Sequence, residues 1–149
     1  MVTAVITGAS SGLGKEYINA IIAQYPSVDA FWLVARRKEL LKEIADEHPD
    51  KTIAAISLDL AREESIELFE KLLKENNPEI KVLVNNAGIL SLKKPFVEYT
   101  KADWDKIFGI NFMGDVFFCK AVIPTMKEKK AGRIINCLLY TSPSPRDTE

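Results

Sequence analysis

The feature that most constrains this chain is the regular exchange of short apolar runs with amphipathic stretches along nearly all of its length. Val2–Ile6 is apolar and stops at a Thr-Gly turn, as a strand buried on both faces does. From Gly12 to about Gln24, Leu13, Tyr17, Ile18, Ile21 and Ile22 recur at helical spacing, and Pro26 ends the run. Ala30–Ala35 predicts a second strand, Lys38–Glu47 a helix with Leu40, Leu41 and Ile44 on one side, and Thr52–Leu58 a third strand. Glu63–Glu75 places Ile66, Phe69, Leu72 and Leu73 on one helical face, and Ile80–Val84 predicts a fourth strand. Thr100 followed by Asp103 is a capping-box arrangement. It opens a helix whose apolar face reads as Trp104, Ile107, Phe108, Phe112 and Phe117. Gly132–Asn136 starts a fifth strand. Strands alternating with helices imply an α/β fold with a parallel sheet covered on both faces. Right-handed crossovers leave a doubly wound sheet as the leading topology.

Composition narrows the function classes. The 149 residues are 47% hydrophobic and 28% charged with a net charge of −1, which fits one domain with a sizeable core. Dispersed Lys and Arg near neutrality leave no electrostatic footprint for nucleic acid or an anionic membrane surface. No unbroken apolar stretch reaches about 18 residues, which argues against a spanning helix. The start, Met-Val-Thr-Ala-Val-Ile-Thr-Gly, has no basic region ahead of an apolar segment. Cys119 and Cys137 lack metal-ligand spacing and are too few for a disulfide framework. The expectation is a cytoplasmic α/β domain without a metal site.

The strongest chemical signal is Thr7-Gly8-Ala9-Ser10-Ser11-Gly12-Leu13-Gly14, where the first strand meets the first helix. Glycines let the backbone turn sharply and approach a pyrophosphate, while unpaired N–H groups at the helix N-terminus favour an anion. A last glycine permits close helix-to-strand packing. The alternative is a tight turn with no ligand. The spacing is Gly-x-x-x-Gly-x-Gly, distinct from Gly-x-Gly-x-x-Gly.

With these motifs the sequence resembles the short-chain dehydrogenase/reductase family. TGASSGLG fits the family's cofactor motif, and Asn85-Asn86-Ala87-Gly88 after the fourth strand fits its second signature. Asp59-Leu60 ends the third strand, where family members contact the adenine. Asn111, in IFGINFMG, matches the asparagine of the family's catalytic tetrad. The resemblance covers residues 1–136 and implies a Rossmann-like domain. It assigns cofactor contacts to Gly8, Ser10, Ser11, Gly12, Leu13, Gly14, Asp59, Leu60, Asn86, Ala87 and Gly88. Asn85 and Asn86 have a second reading as residues that close the strand-to-loop turn. Asn111 carries the family role of holding a water that extends a proton relay, or else it satisfies a backbone group. Mid-helix asparagine is intrinsically unfavourable, so its presence there calls for a reason.

Arg36 and Arg37 follow the second strand. An NAD enzyme of this fold places an acidic residue there for the ribose 2′-OH. A guanidinium binds a 2′-phosphate in a bidentate manner, which favours NADP over NAD. The alternative is a pair of solvated arginines opening a helix.

Hydride transfer to a carbonyl also needs a proton donor. The family supplies a Ser on the fifth strand and a Tyr-x-x-x-Lys further on. Here Leu138 and Leu139 stand where the serine is expected, and Ser144 stands four residues after Tyr140. Of the tetrad only Asn111 is present. The string CLLYTSPSPRD resembles the conceptual translation of a sequencing-library adapter. Residues 137–149 are therefore expected to be a non-native tail on a domain, 1–136, truncated after the fifth strand. Three functional readings result. The first is an NADP-dependent oxidoreductase, represented by its cofactor half, with a small-molecule carbonyl or alcohol substrate and a parent protein that is a homo-oligomer. The second is a catalytically inactive dinucleotide-binding module. The third, an epimerase or dehydratase of the same fold, is disfavoured because extended members space their glycines differently and position 11 is Ser.

Overall fold

The computed structural model describes residues 1–89 and 93–137. The proposed tail positions Leu138, Leu139, Tyr140 and Ser144 lie outside the described residues. Five parallel strands, β1 (Val2–Thr7), β2 (Ala30–Ala35), β3 (Thr52–Ser57), β4 (Glu79–Asn85) and β5 (Arg133–Asn136), form one sheet in the order β3-β2-β1-β4-β5. Between them run α1 (Gly12–Gln24), α2 (Lys38–Glu47), α3 (Glu63–Asn76) and one long helix that contains a π turn. That last element consists of α4 (Lys101–Phe108), a π-helical turn (Gly109–Met113) and α5 (Gly114–Lys129). The chain winds outward from β1 to β3, then returns to add β4 and β5 on β1's other side. This is the doubly wound, Rossmann-like arrangement expected from the alternating pattern.

Side-chain alternation along the strands divides the core in two. Ala4, Ile6, Phe31, Leu33, Val82 and Val84 face α1 and α2, where Ile18, Ile21, Leu41 and Ile44 cover them. Val5, Trp32, Val34 and Leu83 face the other way, onto Phe69 of α3 and Phe118 and Val122 of α5. On that second face Phe69 stands edge-on to Trp32 at 6.1 Å and tilted against Phe118 at 4.3 Å. Such ring pairs add to the burial of their area. β1 and β2 are covered on both sides, which is why their sequences are almost wholly apolar, with the buried Thr3 and Thr7 of β1 as the exceptions.

Two parts of the helix reading need correction. Leu13, placed on the inner face of α1 by periodicity, is 55% exposed. Phe108 and Phe112, read as part of the apolar face of the fifth-strand crossover, are 57% and 58% exposed. The residues that are buried there are Ile110, Gly114, Phe118, Val122 and Met126. The cause is the π turn, which inserts one extra residue per turn and rotates the stripe. The capping box at Thr100 is present: Asp103 N–H donates to Thr100 Oγ1 at 3.2 Å and Thr100 N–H to Asp103 Oδ2 at 2.8 Å. Lys94, ion-paired to Asp103, holds that carboxyl below the usual carboxylate range. The run Lys101–Lys129 is long and apolar enough by composition to cross a membrane, so the absence of an unbroken apolar stretch excludes less than expected. Its Phe118 and Val122 are wholly buried in the core facing β4.

β4 and β5 pair through Asn85↔Asn136, and the Asn85 amide donates to Asn136 Oδ1 at 2.9 Å. Cys137 continues past β5: its N–H donates to the Asn85 carbonyl at 3.0 Å and its thiol to Tyr17 Oη at 2.9 Å. That thiol bond, with burial, pushes the Tyr17 phenol up to about 12. On α5, Asp115 is partly buried and its Oδ1 has no partner among the described residues. Burial alone raises its carboxyl to about 6.

Two stability predictions follow from this packing. A Cβ on Gly14 would lie 2.7 Å from both Ala9 Cα and Gly8 O, so helix and loop would have to part. Gly14→Ala is expected to lower stability by about 1–3 kcal/mol, while Gly12→Ala, which meets no described atom within 4 Å outside its own helix, leaves it nearly unchanged. Urea titration checks both. The second prediction concerns Asp115. The folded state binds its proton more tightly than the unfolded chain, so its contribution is full in acid and lost as pH rises through about 6. Asp115→Asn removes that loss. The Tm advantage of the variant over the parent should grow from about pH 4 to about pH 7, and a pH-independent difference would count against it.

Candidate functional site

The carboxyl ends of the strands surround a cleft at the point where the strand order reverses, between β1 and β4. In open α/β sheets this is where ligands bind. Gly8, Ser10 and Ser11 form one wall, Arg36 and the end of β2 a second, Asp59 and Leu60 a third, and Asn86, Ala87 and Gly88 the fourth. Nine of the residues expected at the site therefore face one cleft. Gly12, Leu13 and Gly14 lie behind the first wall in α1, and Arg37 and Asn111 do not line the cleft.

The glycine loop owes its shape to a close approach. Gly8 has φ +62°, a left-handed conformation that glycine adopts without penalty. A Cβ there would sit 2.8 Å from Ala87 Cα and 2.9 Å from Asn86 O. Ser11 caps α1: its hydroxyl accepts from Gly14 N–H at 3.0 Å. The N–H groups of Gly12 and Leu13 belong to the helix-opening set that no intrahelical carbonyl reaches. Room above Gly12 and this positive helix end together suit a phosphate-sized anion. The residues present thus fit the pyrophosphate of a dinucleotide.

The loop after β4 is tied to the loop after β1. Thr7 is wholly buried, and its hydroxyl accepts from Asn86 N–H at 3.1 Å and Ala87 N–H at 3.0 Å. The Asn86 side-chain amide donates to Gly8 O at 3.0 Å and to Ser11 Oγ at 3.2 Å. Asn86 therefore joins the two walls, in line with the turn-closing reading of this pair. Asn85 is buried beneath, facing Asn136 and Cys119.

Arg36 and Arg37 are exposed, and neither is ion-paired among the described residues. Asp59 is engaged locally, accepting from Ala61 N–H at 3.0 Å and lying 3.7 Å from Arg62. Val34, Leu58 and Ile110 add apolar surface beside Leu60, a setting that suits a flat aromatic base. Asn111 sits in the π turn. Its Oδ1 accepts from Ile89 N–H at 2.7 Å and its amide donates to Ile89 O at 2.9 Å. That bidentate grip holds the backbone of Ile89, which lines the cleft just after Gly88. π turns recur at functional sites.

Sequence reasoning missed Thr7, Val34, Ala35, Leu58, Ile89 and Ile110 as site residues. Thr7 carried a signal: a polar residue at the buried end of a mostly apolar strand has to be satisfied by something. The others are apolar and carry none.

Comparisons with known proteins agree with this geometry. The family model for short chain dehydrogenases matches residues 2–141. An uncharacterized oxidoreductase of Staphylococcus aureus is 26% identical over 133 residues, covering 89% of this chain and 56% of the relative. A metagenomic short-chain oxidoreductase solved in complex with NADP superposes with a TM-score of 0.83 at 27% identity, covering 97% of this chain and 65% of that one. A short-chain dehydrogenase from Sphingobium yanoikuyae in complex with NADPH superposes with a TM-score of 0.79 at 29% identity, covering 91% of this chain and 52% of the other. The chain spans about half the length of the curated relatives it matches. Matched along nearly its entire length, the chain belongs to the short-chain dehydrogenase family.

Proposed function

We propose that residues 1–136 are the cofactor-binding half of an NADP-dependent oxidoreductase acting on a carbonyl or alcohol carbon of a small molecule. The observation that carries this reading is the four-walled cleft with a helix N-terminus on one side and, on another, Arg36, which has no ion-pair partner among the described residues. Bound there, the nicotinamide cofactor supplies or accepts the hydride. The chain's own residues do the holding. The α1 N-terminus and the open space above Gly12 receive the pyrophosphate. Arg36 neutralises a 2′-phosphate; a carboxylate at that position would repel it. Leu58, Leu60 and Val34 exclude water from the base, and Asp59 shapes the adenine end. Asn86, Ala87 and Gly88 carry the floor of the cleft, and Asn111 fixes Ile89 beside it. NADP and NADPH in the two solved relatives support the choice of the phosphorylated cofactor.

A second reading, a binding module without catalysis, is favoured by one observation: of the tetrad the sequence matches only Asn111. A longer coding sequence with Tyr-x-x-x-Lys after the fifth strand decides for the enzyme.

Two measurements test the proposal. Calorimetry on the chain should show NADP+ bound more tightly than NAD+. Arg36→Glu should abolish that preference, with a loss of NADP+ affinity on the order of tenfold or more, as removal of a charge-assisted bond implies. Equal affinities in the unsubstituted chain would sink the NADP assignment. The second is a turnover assay with NADPH and a panel of small ketones and aldehydes. No reduction is expected from the 149-residue chain, because its sequence matches none of the Ser, Tyr and Lys that the family uses for proton transfer. Oxidation of NADPH coupled to alcohol formation would overturn that expectation.

A further inference from the structure

Cofactor choice, on the NADP reading above, depends on holding Arg36 at the cleft, yet no carboxylate grips its side chain among the described residues. Its position must come from its backbone. β2 ends at Ala35 and α2 begins at Lys38, so Arg36 and Arg37 make the entire turn. Arg37 occupies the N-cap position and makes no side-chain cap bond. A short turn without its own cap relies on ties from elsewhere.

Such a tie arrives from β3. The Ser57 hydroxyl donates to the Arg36 carbonyl at 2.9 Å, and the next residue, Leu58, donates its N–H to the Ala35 carbonyl at 3.1 Å. Two consecutive carbonyls at the end of β2 are thus held by two consecutive residues at the end of β3. β3 is an edge strand of the described sheet and Ser57 is exposed on it, so its side chain contributes little to the core. Strands favour β-branched or aromatic residues, and the serine at this strand end makes its contact through its hydroxyl. Ser57 does not line the cleft.

We propose that Ser57 is a positioning residue for cofactor choice. Its hydroxyl fixes the Arg36 carbonyl and thereby sets the direction from which the Arg36 guanidinium meets a ribose 2′-phosphate. It touches no part of the cofactor itself. The effect should therefore fall on NADP and spare NAD, which offers Arg36 no phosphate.

The test is calorimetric binding of NADP+ and NAD+ to the 149-residue chain and to Ser57→Val, Ser57→Thr and Arg36→Ala, with a thermal midpoint for each. Val and Thr have the same shape and similar strand propensity and differ in the hydroxyl. Ser57→Val should lose about two- to tenfold of NADP+ affinity, the worth of one hydrogen bond, with NAD+ affinity unchanged. Ser57→Thr should retain the parental preference. If Arg36→Ala abolishes the preference while Ser57→Val keeps it, Ser57 has no such role and the NADP reading stands. An equal loss for both cofactors, or a lowered midpoint that accounts for the loss, assigns Ser57 a structural role and overturns the proposal. No preference in the unsubstituted chain overturns the NADP reading and this inference with it.

Discussion

The site rests on the close contact between the loop after β1 and the loop after β4. Gly8 leaves no room for a side chain against Asn86 and Ala87, and the Thr7 hydroxyl takes two N–H groups from those same residues. Asn86 returns the contact by donating into the glycine loop. Each of these groups would be costly to bury alone, at about 1–3 kcal/mol for a lost partner. Together they convert two separate strand ends into one rigid platform. The cleft is what remains between that platform and the ends of β2 and β3. The helix end, Arg36 and the Asp59–Leu60 wall face the same cleft beside that platform.

Beneath the platform the two faces of the sheet are packed differently. The side toward α1 and α2 is mainly aliphatic, while the side toward α3 and α5 is centred on the Trp32, Phe69 and Phe118 rings. β1 lies between them with Ala4, Val5 and Ile6 wholly buried. Its carboxyl end, where Thr7 and Gly8 stand, is thus clamped from both sides. The polar stitch sits on a strand that is buried from Thr3 to Thr7, which gives it a fixed base.

Most of the architecture was readable from residue order. Strands buried on both faces have a two-sided apolar requirement, so Val2–Ile6 and Ala30–Ala35 announced themselves, and Pro26 and the Thr100–Asp103 pair marked a helix end and a helix start correctly. Gly8, Arg36, Asp59 and Asn86 were placed at a common site by motif and element, and they do meet. The failures have separate causes. Periodicity assumes an uninterrupted helix, and the π turn at Gly109–Met113 carries no residue that signals it, so Phe108 and Phe112 were placed inward. Leu13 departs from the periodic reading at the first turn of α1, where its side chain is exposed. Ile89 meets Asn111 through its backbone N–H and carbonyl, which every residue has, so its type gave no warning.

The π turn has a consequence for the helix as a whole. A single extra residue advances the helical phase by about 100°, so α4 and α5 need not present the same stripe to the same neighbour. Phe96, Tyr99, Trp104 and Phe108 can keep company with one another near the start of the helix, while Phe118 and Val122 serve the sheet. One continuous rod therefore does two jobs in two directions, with Asn111 at the joint. A chain that lost one residue between Gly109 and Met113 would have to choose between them.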